Sequence, residues 1–317
     1  MRRRRQQGFR PGTHSNLKTQ AAAYLRFCAR YGLRDTHPSP RVLCWYLESL
    51  TASIRSPQTI RNYLSGFRAW HLRVAGAPHA IDSPQVLQML RALDRTLPHS
   101  PSPKHPLDSS ALMLLLATPA LQGHEALPLK VGILLGYYGF LRQSNLAPRS
   151  ATAFDPSRDT CRGDLVIAPP GLLLTLKWSK TIQRGHRTHT IPIPARPGHP
   201  LCPLRPYQDL LRITPTLSPQ DPLLQHTSPP HAPPRARVLT SLQLAAGLRR
   251  ALQQAGLDPA LYSLHSLRAG GATDAYCAGA PPQDIQRHGD WASSCFWGYV
   301  AGPSPPSATV PRLLGSI

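Results

Sequence analysis

The stretch that decides the fold lies near the end of the chain and reads Tyr262-Ser263-Leu264-His265-Ser266-Leu267-Arg268, followed by Ala269-Gly270-Gly271-Ala272. Serine is a favoured helix cap, so His265 falls in the first turn of the predicted helix, and Arg268 follows on the same face. Backbone N–H groups, the helix dipole and two side-chain donors then point the same way, which predicts an anion site. The small residues behind Arg268 predict that another segment packs closely against this helix.

The charge of the chain predicts an anionic polymer as its partner. Its 317 residues carry 36 Lys and Arg against 15 Asp and Glu, a net charge of +21. This is far more than solubility requires, although a bias toward Arg and Pro codons contributes to it. The six cysteines include no Cys-x-x-Cys pair, which predicts reduced thiols rather than a disulfide framework or a zinc site. No apolar run is long enough to span a bilayer.

The N-terminal third predicts a basic arm and a helical bundle. Residues 1–14 contain five arginines and no acid, which is typical of a disordered arm. Residues 15–98 show four amphipathic helical patterns, the third of which follows a capping Ser56-Pro57. That helix has an apolar face made of Ile60, Leu64, Phe67 and His71. Its neighbouring basic face contains Arg61 and Arg68, our two candidates for contacts with DNA.

The rest of the chain predicts a linker and a second domain. Residues 99–107 are rich in Pro and Ser, as in stiff linkers. Within residues 108–317, Asp108 or Ser109 caps one helix, a second runs from about residue 126 to 146, and Thr240 caps a later one. Two β-rich runs, 172–181 and 188–194, flank a polar turn and predict a hairpin. The predicted fold class is mainly α, with a helical first domain and a mixed α+β second domain that holds a small antiparallel sheet.

Beyond the opening stretch, Gly289 is followed by Asp290 and Trp291, and Tyr299 lies nine residues after Asp290. Together with His265-x-x-Arg268, this order resembles the tyrosine recombinases of the phage-integrase type. Their signature is His-x-x-Arg, then Gly-His/Trp, then a tyrosine nine residues later. The wording Arg-His-Gly-Asp-Trp-Ala-Ser over residues 287–293 is most similar to recombinases of eukaryotic DIRS-type and Crypton mobile elements.

A second motif extends the resemblance. Residues 140–146 read Phe-Leu-Arg-Gln-Ser-Asn-Leu and resemble the family pattern Gly-x-Arg-x-x-Glu-Leu, which contains a catalytic arginine. Phe140 stands at the Gly position, and Asn145 replaces the acid that orients the arginine. The resemblance implies that residues 15–98 are the core-binding (SAM-like) DNA-binding domain and that residues 108–317 are the catalytic domain.

The resemblance also implies roles for individual residues. Tyr299 would attack phosphorus and form a 3′-phosphotyrosyl link, while Arg142 and Arg268 would bind the phosphate oxygens. His265 would transfer a proton or donate to the phosphate. The family carries a lysine on a hairpin, and Lys180 fits that position best.

Two of these assignments have alternatives. Lys177 is the runner-up to Lys180. Asp290 occupies the usual His/Trp position, where an acid would repel phosphate. We therefore expect Asp290 to turn away and Trp291, or as an alternative His288, to take that role.

The prediction is a metal-independent, cofactor-free DNA recombinase or integrase that acts on double-stranded DNA as a homo-oligomer in a tetrameric synapse, away from membranes. The alternative is a DNA-binding protein derived from a mobile-element recombinase with impaired catalysis, which Asn145 and Asp290 favour. A metal-dependent nuclease needs clustered carboxylates, which the sequence lacks. A strand-relaxing topoisomerase uses similar chemistry, but the first domain and the compact size favour recombination. The basic arm predicts a nuclear location if the source is eukaryotic, and otherwise the cytoplasm or nucleoid.

Overall fold

The computed structural model describes residues 11–33, 38–74, 79–98, 104–182, 187–215, 218–226 and 237–300. Backbone contacts divide the chain into two compact units, residues 1–101 and 102–317. Each unit has a hydrophobic core of its own.

The first unit is helical. Its helices are α1 (Pro11–Tyr31), α2 (Pro40–Thr51), α3 (Pro57–Val74) and α4 (Pro84–Thr96), with a 3₁₀ turn at His79–Asp82. Ser39 and Ser83 cap α2 and α4 by accepting from the backbone N–H of the third residue of each helix, both at 3.3 Å. The predicted apolar face of α3 is confirmed, because Ile60, Leu64, Phe67 and His71 are all buried.

The aromatic residues of α1 complete this core, where Tyr24 and Phe67 have ring centroids 4.3 Å apart. The predicted disordered arm is wrong at its end, since α1 already begins at Pro11. Residues 1–10 lie outside the described part of the chain.

The second unit surrounds the apolar helix α6. Its helices are α5 (Ser109–Ala117), α6 (Leu127–Tyr138), α7 (Gln143–Leu146), α8 (Leu204–Ile213), α9 (Ser241–Gln254), α10 (Leu264–Cys277), α11 (Pro282–His288) and α12 (Trp297–Val300). Short 3₁₀ turns lie at Pro119–Leu121, His124–Ala126, Ala151–Ala153, Arg162–Asp164, Pro259–Leu261 and Ser294–Phe296. Helix α6 packs against α8, α9 and α10. The predicted caps are confirmed, because Asp108 accepts from Ala111 N at 2.8 Å and Thr240 from Gln243 N at 3.3 Å.

The predicted helix over residues 126–146 is wrong in its second half. It ends at Tyr138, and Phe140 adopts the left-handed conformation with φ of 46°. The N–H of Leu141 bonds back to the carbonyl of Gly136 at 3.1 Å, as when a left-handed residue closes a helix. The break leaves Arg142 in extended conformation at the N-cap position of α7.

The sheet is antiparallel, with strands β1 (Leu165–Ala168), β2 (Gly171–Leu176) and β3 (His189–Pro194) in that order. Leu174 of β2 lies opposite Leu165 of β1 and Ile191 of β3. The predicted hairpin is confirmed as β2 and β3, but β2 ends earlier than expected, and β1 was not predicted. Lys180 consequently lies in the loop after β2, and residues 183–186 of its turn lie outside the described residues.

The mainly α fold class with a small antiparallel sheet is thus confirmed. No described helix is both long and apolar enough to cross a membrane.

Candidate active site

Helix α10 begins and packs as its sequence predicts. Ser263 caps it by accepting from the N–H of His265 at 3.2 Å, and Ser266 Oγ accepts from the N–H of Ser263 at 3.0 Å. The segment before α5 runs along this helix, with Leu107 N donating to Ser266 O at 2.8 Å. A Cβ at Gly270 would lie 1.7 Å from the Leu107 carbonyl oxygen. The expected close packing behind Arg268 is therefore confirmed.

Arg268 is enclosed by backbone and aromatic groups. Its side chain is 2% exposed. One terminal nitrogen donates to the carbonyl of Phe140 and the other to the carbonyl of Gly289, the latter at 2.8 Å. The Trp291 ring centroid lies 3.7 Å from the guanidinium carbon. In the described part of the chain, Arg268 forms no salt bridge with a carboxylate.

The charge of Arg268 is therefore poorly compensated. Burial and the nearby positive charge of Arg142 lower its pKa to about 9. Two buried donors of this site, Arg268 Nε and Trp291 Nε1, have no hydrogen-bond partner among the described residues. An unsatisfied buried donor typically costs about 1–3 kcal/mol. A site with excess positive charge and unused donors is suited to an anion.

Tyr299 lies on α12, directly against the start of α10. Its phenolic oxygen is 2.8 Å from His265 Nε2, and its carbonyl accepts from Thr273 Oγ1 at 3.0 Å. Partial burial and the charges of Arg268 and Arg142 lower the pKa of His265. The imidazole is consequently neutral at pH 7 and can accept the phenolic proton.

Arg142 lies beside both groups, as its effect on their pKa values indicates. Its half-buried side chain makes no hydrogen bond or ion pair with another described residue. Asn145, which stands where the family has an acid, is 5% exposed. Its amide nitrogen donates to the carbonyl of Trp178 at 2.8 Å. Asn145 thus connects the Arg142 segment to the loop that contains Lys180.

The two lysine candidates have different surroundings. Lys180 is exposed in the loop after β2. Lys177 instead forms an ion pair with Asp164 at 2.7 Å and donates to the carbonyl of Pro156 at 2.8 Å. Burial lowers the pKa of Lys177, but the hydrogen bond and charge of Asp164 outweigh it, so the net pKa is raised. Lys177 is held by its own ion pair, and the catalytic role of either lysine stays a prediction.

Asp290 forms no salt bridge with Arg268 within the described residues, although its charge raises the pKa of that arginine. Its φ is 51°, and its carboxylate accepts hydrogen bonds from Thr181 Oγ1, from Ser179 Oγ at 3.3 Å and from Arg187 at 2.5 Å. Burial raises the pKa of Asp290, but the bonds from Thr181 and Arg187 outweigh it and lower the pKa overall.

Of the two residues expected to replace Asp290, Trp291 is better placed. His288 donates its Nε2 proton to the carbonyl of Tyr138 at 2.7 Å, and burial lowers its pKa. Trp291 instead packs against both Arg268 and Tyr299, with its ring centroid 5.3 Å from that of Tyr299.

The structure thus brings Arg142, His265, Arg268, Trp291 and Tyr299 together. The sequence analysis gave Gly289 only as part of the signature and assigned it no role, yet a Cβ there would lie 1.8 Å from the Trp291 ring. Only glycine at this position lets the Trp291 ring lie over Arg268. The sequence signal for this role was that Gly289 directly precedes Asp290 and Trp291. The sequence analysis also missed the carbonyl partners of Arg268, which no side-chain pattern reports.

The two DNA-binding candidates of the first unit have unexpected partners. Arg61 forms an ion pair with Asp94, and Arg68 forms one with Asp82. All four side chains are at least one-third exposed, and exposed pairs of this kind contribute only about 0–1 kcal/mol. A DNA phosphate can replace the aspartate in either pair at little cost, so the ion pairs do not exclude DNA binding. The DNA-binding role of the two arginines stays a prediction.

Within the described residues, no three His, Cys, Asp or Glu side chains come together as metal ligands would.

Comparison with known proteins extends these observations. No family model matches the chain. It is 25% identical over 272 residues to an integrase/recombinase XerD homolog of Selenomonas ruminantium. The matched region covers 82% of this chain and 73% of that protein. The fold is similar to a lambda integrase dimer bound to a core site, with a TM-score of 0.60, 16% identity, and coverage of 95% of this chain and 75% of that one.

Two further structures share the fold. The Tn1549 transposon integrase in complex with transposon right end DNA has a TM-score of 0.56 and 13% identity, covering 88% of this chain and 86% of that one. The XerH site-specific recombinase bound to a palindromic difH substrate has a TM-score of 0.57 and 16% identity, covering 88% of this chain and 73% of that one.

Proposed function

We propose that this chain, which has the fold of the integrases and site-specific recombinases, is a tyrosine recombinase that cuts and rejoins double-stranded DNA through a 3′-phosphotyrosyl intermediate. The observation that carries the proposal is the 2.8 Å contact between Tyr299 Oη and His265 Nε2, next to a buried Arg268 that has no salt-bridge partner among the described residues. A phenol with a proton acceptor, beside a buried guanidinium that can bind an anion, is suited to attack on a phosphodiester.

In the proposed reaction, Tyr299 Oη attacks phosphorus while its proton passes to His265 Nε2. The bond from phosphorus to the 5′-oxygen breaks, and that oxygen takes a proton from Lys180. The product is a phosphotyrosyl ester and a free 5′-hydroxyl. Because the ester keeps the energy of the original bond, attack by another 5′-hydroxyl reverses the steps and joins a new strand without a cofactor.

Arg268, Arg142 and Trp291 would stabilise the charge that develops on the non-bridging oxygens. The aromatic ring of Tyr299 lies 5.7 Å from the Arg268 guanidinium, which is almost fully buried. Side chains around Arg268 would therefore have to shift to admit a phosphate. The bound phosphate would then place a negative charge directly beside the guanidinium.

The geometry favours cleavage in cis. The phenol contacts His265 of the same chain, so each subunit holds its own nucleophile beside its own phosphate site. Residues 301–317, where a tail could reach another subunit, lie outside the described part of the chain.

We further propose that DNA is contacted by both units and that the working form is a homo-oligomer, a tetramer in the synapse. The net charge of +21 and the partly exposed Arg61 and Arg68 support DNA binding. Neutralising phosphates releases counterions, so affinity should fall steeply as salt rises. An affinity that does not change across a salt titration would count against this part of the proposal.

The sequence of residues 287–293 supports an origin in a DIRS-type or Crypton-like mobile element. The basic N-terminal residues support a nuclear location in a eukaryotic host. A second candidate function, DNA binding without cleavage, is favoured by Asn145 at the position of the acid. Asn145 donates rather than accepts in its one side-chain hydrogen bond to a described residue, and that bond goes to Trp178.

One experiment separates the two functions. Purified protein is incubated without metal ions in a pool of nicked duplexes with random sequence, and adducts that survive denaturant are captured and sequenced. A recombinase gives covalent adducts that Tyr299→Phe abolishes, and the recovered sequences identify the cleavage site. Retarded DNA without any adduct would instead support the binding protein, and adducts that depend on an added divalent ion would contradict the mechanism.

A further inference from the structure

The loop that contains Lys180 is a tight, internally bonded turn. Ser179 N donates to Ile182 O at 2.9 Å, while the N–H groups of Thr181 and Ile182 each donate to Ser179 Oγ at 3.1 Å. Ser179 and Ile182 are both 2% exposed. Lys180 therefore stands at the exposed tip of a turn whose two ends are fixed.

Asp290 binds this turn on both sides of Lys180. Its carboxylate accepts from the hydroxyl of Thr181 and from Ser179 Oγ, and it also pairs with Arg187, which lies just before β3. The Asp290 side chain is only 12% exposed, so its carboxylate is largely sheltered from water, whereas Arg187 is half exposed. One carboxylate thus connects the two ends of the loop between β2 and β3.

Asp290 lies between two residues that contact Arg268. The preceding residue, Gly289, provides the carbonyl that binds Arg268. The following residue, Trp291, stacks on the same guanidinium. A backbone segment of three residues therefore links the proposed phosphate site to the turn that presents Lys180.

We propose that Asp290 is a positioning residue that fixes Lys180 relative to the phosphate held by Arg268. This inference rests on the proposed function. Asp290 touches neither the phosphate nor the leaving group, and it acts only through the placement of the lysine that protonates the 5′-oxygen. An acid at this position is therefore functional in this chain.

The test exploits the leaving group. In a substrate with sulfur in place of the bridging 5′-oxygen, the leaving thiolate needs no proton, because thiols are far more acidic than alcohols. Such a substrate is made at the cleavage site identified from the random pool, together with its oxygen counterpart. Single-turnover adduct formation is then measured on both for Lys180→Ala and Asp290→Gly. Glycine tolerates the left-handed conformation, so Asp290→Gly removes the carboxylate without adding strain.

Misplacing a catalytic group by about 1 Å costs on the order of 100-fold, so we expect Asp290→Gly to be about 10- to 100-fold slower on the oxygen substrate. On the sulfur substrate, both Asp290→Gly and Lys180→Ala should react within about threefold of the wild-type rate. The reason is that each variant would lack only general acid catalysis, which this leaving group does not need. Thr181→Val, which loses the hydroxyl, should follow the same pattern, and Thr181→Ser, which keeps it, should not. Asp284→Asn removes an exposed acid of α11 and should be normal on both substrates.

Equal slowing of Asp290→Gly on the two substrates would overturn the inference, because the defect would not lie in protonation of the leaving group. An unchanged rate on the oxygen substrate would overturn it as well. A wild-type protein that forms no adduct on either substrate would instead overturn the proposed function, and the inference with it.

Discussion

Replacing His265 by glutamine tests the proposed activation of Tyr299. The hydrogen bond between Tyr299 Oη and His265 Nε2 is 2.8 Å long. Glutamine can keep a hydrogen bond to the phenol, but its amide cannot take up the proton. A positioned general base contributes typically about 10²- to 10⁴-fold, so adduct formation at pH 7 should fall by that factor. DNA affinity should stay near that of the wild type, since a neutral imidazole adds no charge to the site.

The pH profile gives this prediction a second, independent readout. Only the neutral imidazole can accept a proton, and partial burial with Arg268 and Arg142 lowers the pKa of His265. A lowered pKa keeps the ring neutral to more acidic pH. The rate of adduct formation should therefore stay constant from pH 8 down to about 6.5, the ordinary value for imidazole, and fall only below it. In His265→Gln the rate should rise with pH, because hydroxide must then remove the proton.

The assay is single-turnover adduct formation on a nicked duplex, measured between pH 5 and 9 with protein in excess. His124→Gln, which replaces an exposed histidine on a 3₁₀ turn, is the matched control and should behave as the wild type. Removing a general base should slow the reaction far more than threefold. If His265→Gln forms the adduct at pH 7 within about threefold of the wild-type rate, the role assigned to His265 is refuted. An acid limb centred above pH 7 would refute the argument from the lowered pKa.

Three further predictions follow from other contacts. Tyr299→Phe should abolish adduct formation while gel-shift affinity stays near wild type, because the ring and the phosphate site are retained; a residual adduct would remove Tyr299 from the mechanism. Mixing Tyr299→Phe with Arg268→Ala protein should restore no cleavage, since each subunit holds its own phenol; regained activity would mean a shared site. Gly270→Ala should destabilise the protein by about 1–3 kcal/mol through its clash with Leu107. Gly298→Ala is the control and should cause no such loss, because there is open space around a Cβ at that position. Equal melting temperatures of the two variants would contradict this prediction.

Much of the second unit could be predicted because its signals are local. The cap at Ser263, the periodic apolar residues of the helices and the two strands of the hairpin all depend on neighbours within a few positions of the sequence. The close packing at Gly270 could be anticipated as well, since two adjacent glycines within a helix are costly unless something approaches. These features depend only slightly on the rest of the chain.

What could not be predicted depends on distant partners or on backbone conformation. The helix break at Phe140 runs against local preference, since a bulky residue rarely takes positive φ, and tertiary packing against Gly271 and His288 decides it. The ion pairs of Arg61 and Arg68 join α3 to acids that lie 33 and 14 residues away. Strand β1 is short and exposes Val166 and Ile167, so it shows no alternation of apolar and polar residues.

The binding of Arg268 by two backbone carbonyls has a consequence for how this chain can change over evolutionary time. Those carbonyls belong to Phe140 and Gly289, and left-handed residues, Phe140 itself and Asp290, lie at both turns. Every amino acid offers the same carbonyl, so selection acts here on the path of the main chain and only weakly on side-chain identity. A left-handed non-glycine residue costs about 1–2 kcal/mol, a tolerable fraction of a domain's stability. The sequence around such an arginine can therefore drift widely while its guanidinium keeps the same place, and the length and shape of these two turns should vary less among descendants than the residues that form them.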